Sequence, residues 1–150
     1  MTRGYVLPIL AASACTGKSD PPVFPADYAS TYTEVRNCRP SVEHGPVNVH
    51  VLASPLALDT YMSRTGEFPT GSVLLKEEYA EADLSCAGPI RQWTVMEKLA
   101  DGSSPSTLDW HWQKVDSTRH TILSDDVSCF GCHMNCDVST GGYLYTCTMP

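Results

Sequence analysis

Trp93-Thr94-Val95-Met96-Glu97-Lys98-Leu99, followed across Asp101-Gly102-Ser103-Ser104-Pro105 by Leu108-Asp109-Trp110-His111-Trp112-Gln113-Lys114-Val115, is the stretch on which the fold turns. Apolar side chains alternate along both runs, the two-residue period of strands, and the Gly/Ser/Pro cluster between them is turn chemistry. In the second run Leu108, Trp110 and Trp112 share one face, and Asp109, His111 and Gln113 share the other. Neighbours joined so closely pair as an antiparallel meander. Working outward, Val47, Val49 and Val51 alternate with Asn48, His50 and Leu52, predicting a strand with one buried face. Phe68-Pro69-Thr70-Gly71 turns into a further strand over residues 72–79. Tyr28, Tyr32 and Val35 after Asp27 predict a helix over residues 28–36, with a loop over 37–46. Ser54-Pro55 opens a second helix, with Leu58, Tyr61 and Met62 on one side and Thr65-Gly66 as its stop. Asp125-Asp126 caps a short helix carrying residues 129–133. The expectation is one α+β domain: an antiparallel β-sheet meander with two or three short helices.

The chain has 150 residues and a net charge of −7, without any cluster of Lys and Arg. Binding a phosphate backbone needs such a cluster, so nucleic acid is excluded as a partner. The acidic surface suits a protein that meets a basic partner. Met1-Thr2-Arg3 is a basic start, Val6 to Ala14 is mostly apolar, and Ala12-Ser13-Ala14 sets small residues before Cys15. Residues 1–14 therefore read as a lipoprotein-type export signal, with Cys15 as the lipidation site. An ordinary secretory signal is the alternative, since Ala12 stands where leucine is more usual and Pro8 interrupts the run. The segment is shorter than the roughly 20 apolar residues that span a bilayer, so membrane contact is expected through a lipid anchor alone. Residues 15–24, polar and proline-containing, read as a flexible tether, and residues 25–150 as the domain, placed in the periplasm.

Cys129-Phe130-Gly131-Cys132-His133 spells C-x-x-C-H, the attachment signature of a c-type haem. Two thiols at this spacing add to the two vinyl groups of one porphyrin, and the next residue, His133, becomes an axial ligand of the iron. The alternatives are a structural disulfide beside a chance histidine, or a metal or cluster site that also uses Cys136. Of seven cysteines, setting aside Cys15, Cys129 and Cys132 leaves Cys38, Cys86, Cys136 and Cys147. An even remainder in an oxidising compartment favours disulfides, with 3 connectivities open. Cys38 with Cys86 and Cys136 with Cys147 is the expected pairing; one disulfide and two buried thiols is the alternative.

Thr65-Gly66-Glu67-Phe68-Pro69-Thr70-Gly71-Ser72-Val73-Leu74-Leu75-Lys76-Glu77 resembles a segment of the cytochrome P-460 family. The layout is similar too: helix, strand, helix, a turn into a lysine-bearing strand, tryptophan-rich strands, then C-x-x-C-H near the C-terminus. The likeness covers roughly residues 25–148. It implies a single covalent haem c bonded through Cys129 and Cys132, with His133 as proximal ligand to the iron. Lys76 matches the lysine that hydroxylamine-oxidising members join to a meso carbon of the porphyrin. An unpaired ammonium after the apolar run Val73-Leu74-Leu75 is costly to bury, a conflict that such a bond removes. The alternative is an exposed strand lysine paired with Glu78 or Glu97. Asp137 is the nearest equivalent of the family's acidic distal side chain, a general base for iron-bound hydroxylamine; beside Cys136 it equally suits a turn cap.

Three functional readings follow. The first is an enzyme with five-coordinate haem iron that oxidises hydroxylamine or converts nitrogen oxides and passes electrons to a small redox cytochrome. The second resembles cytochrome c-prime-beta, which binds nitric oxide without turnover. The third is an electron carrier whose sixth ligand is a methionine (Met96, Met134 or Met149) or one of His44, His50, His111 and His120, all four read first as surface or hydrogen-bonded residues. The likeness also implies a homodimer, with Trp110 and Trp112 as a possible apolar face.

Overall fold

The computed structural model describes residues 20–41 and 43–147. The expected signal, Cys15 and Met149 lie outside the described residues. Six strands form one antiparallel sheet in chain order: β1 (Thr33–Ser41), β2 (Val47–Ala53), β3 (Val73–Ala80), β4 (Gln92–Lys98), β5 (Trp110–Asp116) and β6 (Thr121–Ser124). Helix α1 (Tyr28–Thr31) precedes the sheet, α2 (Pro55–Ser63) joins β2 to β3, and α3 (Val127–His133) follows β6. This is the expected α+β meander. Among the described residues no helix is long and apolar enough to cross a membrane.

Three local expectations change. The helix over 28–36 is a single turn, and the first half of the predicted loop belongs to β1. That strand pairs with the edge of β2 and would otherwise leave its backbone groups unmatched. Register shifts at Glu34/Arg36 and Arg36/Arg39 break its period, which hides it in the sequence. β6 was not anticipated either. In α2 the inward face is Ala57, Thr60 and Tyr61, while Met62 is half exposed. The helix ends at Arg64 in the left-handed region (φ 54°), whose N–H bonds Thr60 O. Leu108 is also left-handed (φ 66°), so it sits before β5 rather than on it.

The larger difference is that β2 and β3 are buried on both faces rather than one. One face meets α2, α3 and the C-terminal segment through Val51, Ala53, Leu74, Met96, Trp110 and Trp112. Both tryptophans are core residues there, not a surface. The opposite face is covered by the segment before β1. Phe24 and Tyr28 pack on Leu75, Trp93, Val95 and Val115, and the Arg119 guanidinium stacks 4.3 Å from the Phe24 ring centroid. Gln113, expected on a polar face, is buried because it accepts from Val23 N (3.0 Å) and donates to Pro21 O (2.9 Å). Residues 21–24, assigned to the tether, are therefore docked on the sheet.

Cys38 bonds Cys86 and Cys136 bonds Cys147, the expected pairing, with Cα separations of 5.6 and 4.8 Å. The first ties β1 to the β3–β4 connection; the second closes the segment that follows α3.

Candidate haem site

Asp126 starts α3 by accepting from Ser128 N at 2.9 Å, the N-cap geometry that satisfies a free helix N–H. The helix brings Cys129, Cys132 and His133 to the wall of a cavity of about 690 Å³ on the first face of the sheet. Cys129 and Cys132 are unpaired thiols despite their close spacing. Burial pushes the Cys129 thiol up, so it is held protonated.

His133 Nδ1 lies 2.7 Å from Tyr145 O. A carbonyl can only accept, so Nδ1 carries the proton and Nε2 keeps its lone pair. Burial, with the Lys76 cation nearby, lowers this histidine to about 4 and keeps it neutral. The Cys136–Cys147 disulfide closes the loop that delivers the Tyr145 carbonyl, so it orients this ring from a distance.

Lys76 comes from the sheet. It pairs in register with Val51 on β2 and Thr94 on β4, and all three line the cavity. Burial lowers its ammonium to about 8, against the pull of Glu78 and Glu43. Its Nζ meets neither Glu78 nor Glu97 directly; it sits 2.9 Å from His44 Nε2. His44 belongs to the loop between β1 and β2, and its Nδ1 is 3.3 Å from Glu78 Oε1. That contact has the distance of an ion pair without the angle of a hydrogen bond, so its attraction is electrostatic. Glu78 is fully buried and accepts from Gln92 Nε2 at 2.5 Å. Burial pushes its carboxyl up, but the nearby His44 ring and the Gln92 hydrogen bond outweigh this and hold it below the ordinary value.

Asp137 is elsewhere. It caps the 3-10 turn Val138–Thr140, accepting from Ser139 N (2.8 Å) and Thr140 N (3.2 Å), while Thr140 Oγ1 accepts from Asp137 N. Its side chain is exposed and outside the cavity wall, which is the turn-cap alternative and no position for a distal base. Among the other proposed ligands, Met96 lines the cavity. Met134 is largely exposed, His111 pairs with Asp125 at 3.0 Å, and His50 faces Glu77 on the opposite side of the sheet. His44 is one of four histidines named as possible sixth ligands, and nothing in its local sequence sets it apart from His50, His111 and His120. Its place comes from closure of the β1–β2 hairpin over β3 and β4. Cys38, His50 and Cys86 also approach one another, but both sulfurs are in the disulfide.

These residues fit a haem. Two free thiols lie one helical turn apart, a neutral imidazole presents a free Nε2, and Val51, Leu74, Met96 and Trp112 make an apolar wall. The cavity volume falls in the roughly 300–1,000 Å³ range of cofactor pockets. The sequence model of a family described as Cytochrome P460 matches residues 25–146. No curated protein matches the chain.

Proposed function

This chain belongs to the cytochrome P460 family, whose members are haem proteins, and from that premise we propose that it is an exported c-type cytochrome that oxidises hydroxylamine or a related nitrogen oxide. The observation that carries this reading is the meeting of Lys76 with Cys129, Cys132 and His133 around one cavity. A haem held there supplies a redox-active iron to which a substrate nitrogen binds.

The chain's own groups then have distinct tasks. Cys129 and Cys132 fix the macrocycle through thioethers. His133 Nε2 would hold the iron, with its orientation and basicity set by the Nδ1–H bond to Tyr145 O. Lys76 would face the ring from β3; a bond from its Nζ, as the neutral amine, to a meso carbon, made with loss of two protons and transfer of two electrons to an added oxidant, would remove a buried cation and alter the electronic character of the cofactor. Val51, Leu74 and Met96 exclude water from the side that receives substrate. Electrons leave to a small cytochrome, for which the acidic surface suits a basic partner. Residues 1–14 direct export to the periplasm, where thioether attachment and both disulfides are chemically permitted.

Purified protein tests the proposal through its intact mass, its reduced absorption spectrum and its consumption of hydroxylamine with an electron acceptor. The expected result is one covalent haem, an absorption spectrum that Lys76→Ala converts to that of an ordinary c-type haem, and turnover. A covalent haem whose spectrum ignores Lys76→Ala, with nitric oxide bound and no hydroxylamine consumed, would instead identify a gas-binding protein.

A further inference from the structure

Nothing in the family match assigns a role to His44, yet it is the one histidine, among the described residues, that lines the cavity together with His133. The two ring centroids are 6.5 Å apart and the ring planes are nearly perpendicular, at 87°. Two imidazoles bound to one metal from opposite sides have centroids about 6 Å apart, from metal–nitrogen bonds of about 2.0–2.1 Å and the ring radius on either side. The observed separation is close to that spacing.

The supports of the two rings are also alike. His133 Nδ1 is held by the Tyr145 carbonyl. His44 Nδ1 faces the Glu78 carboxylate at 3.3 Å and Thr94 Oγ1 at 3.4 Å. An oxygen acceptor behind Nδ1 is the usual arrangement for an imidazole that ligates a metal through Nε2, because it fixes the tautomer and raises basicity. Lys76 Nζ competes for His44 Nε2 at 2.9 Å. Oxidative bonding of Lys76 to the porphyrin, with two electrons passed to the added oxidant, would remove that competitor. We propose that His44 is a displaceable sixth ligand, bound to the haem iron at rest and yielding its position to the incoming nitrogenous substrate. The inference rests on the haem and lysine assignments of the proposed function. It replaces an empty resting position with an occupied one, and Asp137 with His44 as the side chain nearest to substrate. Gly45, with φ of +94°, lies next to His44 in a hairpin loop rather than in the sheet, so the ring can swing aside without breaking a strand pair.

The test uses haem-loaded full-length protein and reads spin state by optical and electron paramagnetic resonance spectra. Ferric parent protein is expected to be low-spin, and His44→Ala high-spin. If His44 occupies about nine irons in ten at rest, cyanide binds His44→Ala about tenfold more tightly than the parent. Added imidazole should restore the low-spin signal in His44→Gly, which shows that the cavity is intact. His111→Ala should leave the spectra unchanged. A parent protein that is already high-spin, or a low-spin signal that survives in His44→Ala and disappears in Met96→Ala, overturns the proposal. A His44-dependent low-spin signal without hydroxylamine consumption supports His44 ligation and overturns the enzymatic reading. Absence of thioether-bound haem in the intact mass overturns both.

Discussion

Glu77 and Glu78 are neighbours on β3, both buried, and point to opposite faces of the sheet. Glu77 lies on the packed face, where the hydroxyls of Tyr28 and Tyr79 both donate to it at 2.6 Å and Trp93 Nε1 donates in turn to Tyr28 at 3.0 Å. Glu78 lies on the cavity face, where it holds Gln92 and draws on His44 across 3.3 Å. One carboxylate is closed off by donors of the packed core. The other is linked through a histidine to the lysine of the candidate haem site. The packed face is closed by its own hydrogen bonds, whereas on the cavity face Glu78 Oε1 is buried without a hydrogen-bond partner. Such division matches the general rule that buried polar networks are either fully satisfied or functional.

Truncation should separate the faces most strongly at Phe24. The ring is 2 % exposed and touches Tyr28, Trp93 and Arg119. Phe24→Ala should destabilise the protein by about 3–5 kcal/mol, read from urea unfolding, while the haem spectrum of the folded fraction stays unchanged. A changed spectrum would mean that the faces are not independent. Next in size, replacing Cys136 and Cys147 together by Ala opens a loop of sequence separation 11. The entropic loss is about 3 kcal/mol. Here the spectrum should change as well, because the Tyr145 carbonyl is no longer pinned against His133. Equal destabilisation without spectral change would separate the disulfide from the site.

The pattern of legibility follows the same division. β2, β4 and β5 were readable because apolar residues recur at every second position, and β3 because the turn over residues 68–71 leads into the apolar run Val73-Leu74-Leu75. The sequence did not show that the second face is also buried, because Asn48, Glu77 and Gln113 look like solvent-facing residues. Their partners come from afar: Gln113 is satisfied by residues 21 and 23, and Glu77 by Tyr28. β1 was obscured by its bulges and by Arg36, Arg39 and Pro40. Within the site, Cys129, Cys132 and His133 were legible because C-x-x-C-H is the spacing that covalent haem attachment requires. Lys76 was legible only through the family likeness, and His44 only as one of four undistinguished histidines, because its place arises when a hairpin loop closes over two other strands.

Smaller effects probe the two carboxylates themselves. Tyr28→Phe removes one donor from Glu77 and should cost about 1–3 kcal/mol, the range for a buried acceptor left short of a partner. A smaller loss in urea unfolding would show that Tyr79 and His50 suffice.

Glu78→Gln should cost least at neutral pH but change the acid limb of stability. The carboxyl of Glu78 is held below its ordinary value of 4.5 in the folded protein. In the unfolded chain it takes up a proton as pH falls through that value, while the folded state resists. Stability from this group is therefore complete above about pH 4.5 and is lost as pH falls below it. The Gln variant lacks the titrating group, so its urea midpoint should fall less steeply than the parent's between about pH 5 and pH 3. Identical slopes would mean that the charge of Glu78 does not support His44. A flattened slope together with an altered haem spectrum at about pH 7 would tie the buried carboxylate to the orientation of His44, since Gln retains the shape but not the charge that faces Nδ1.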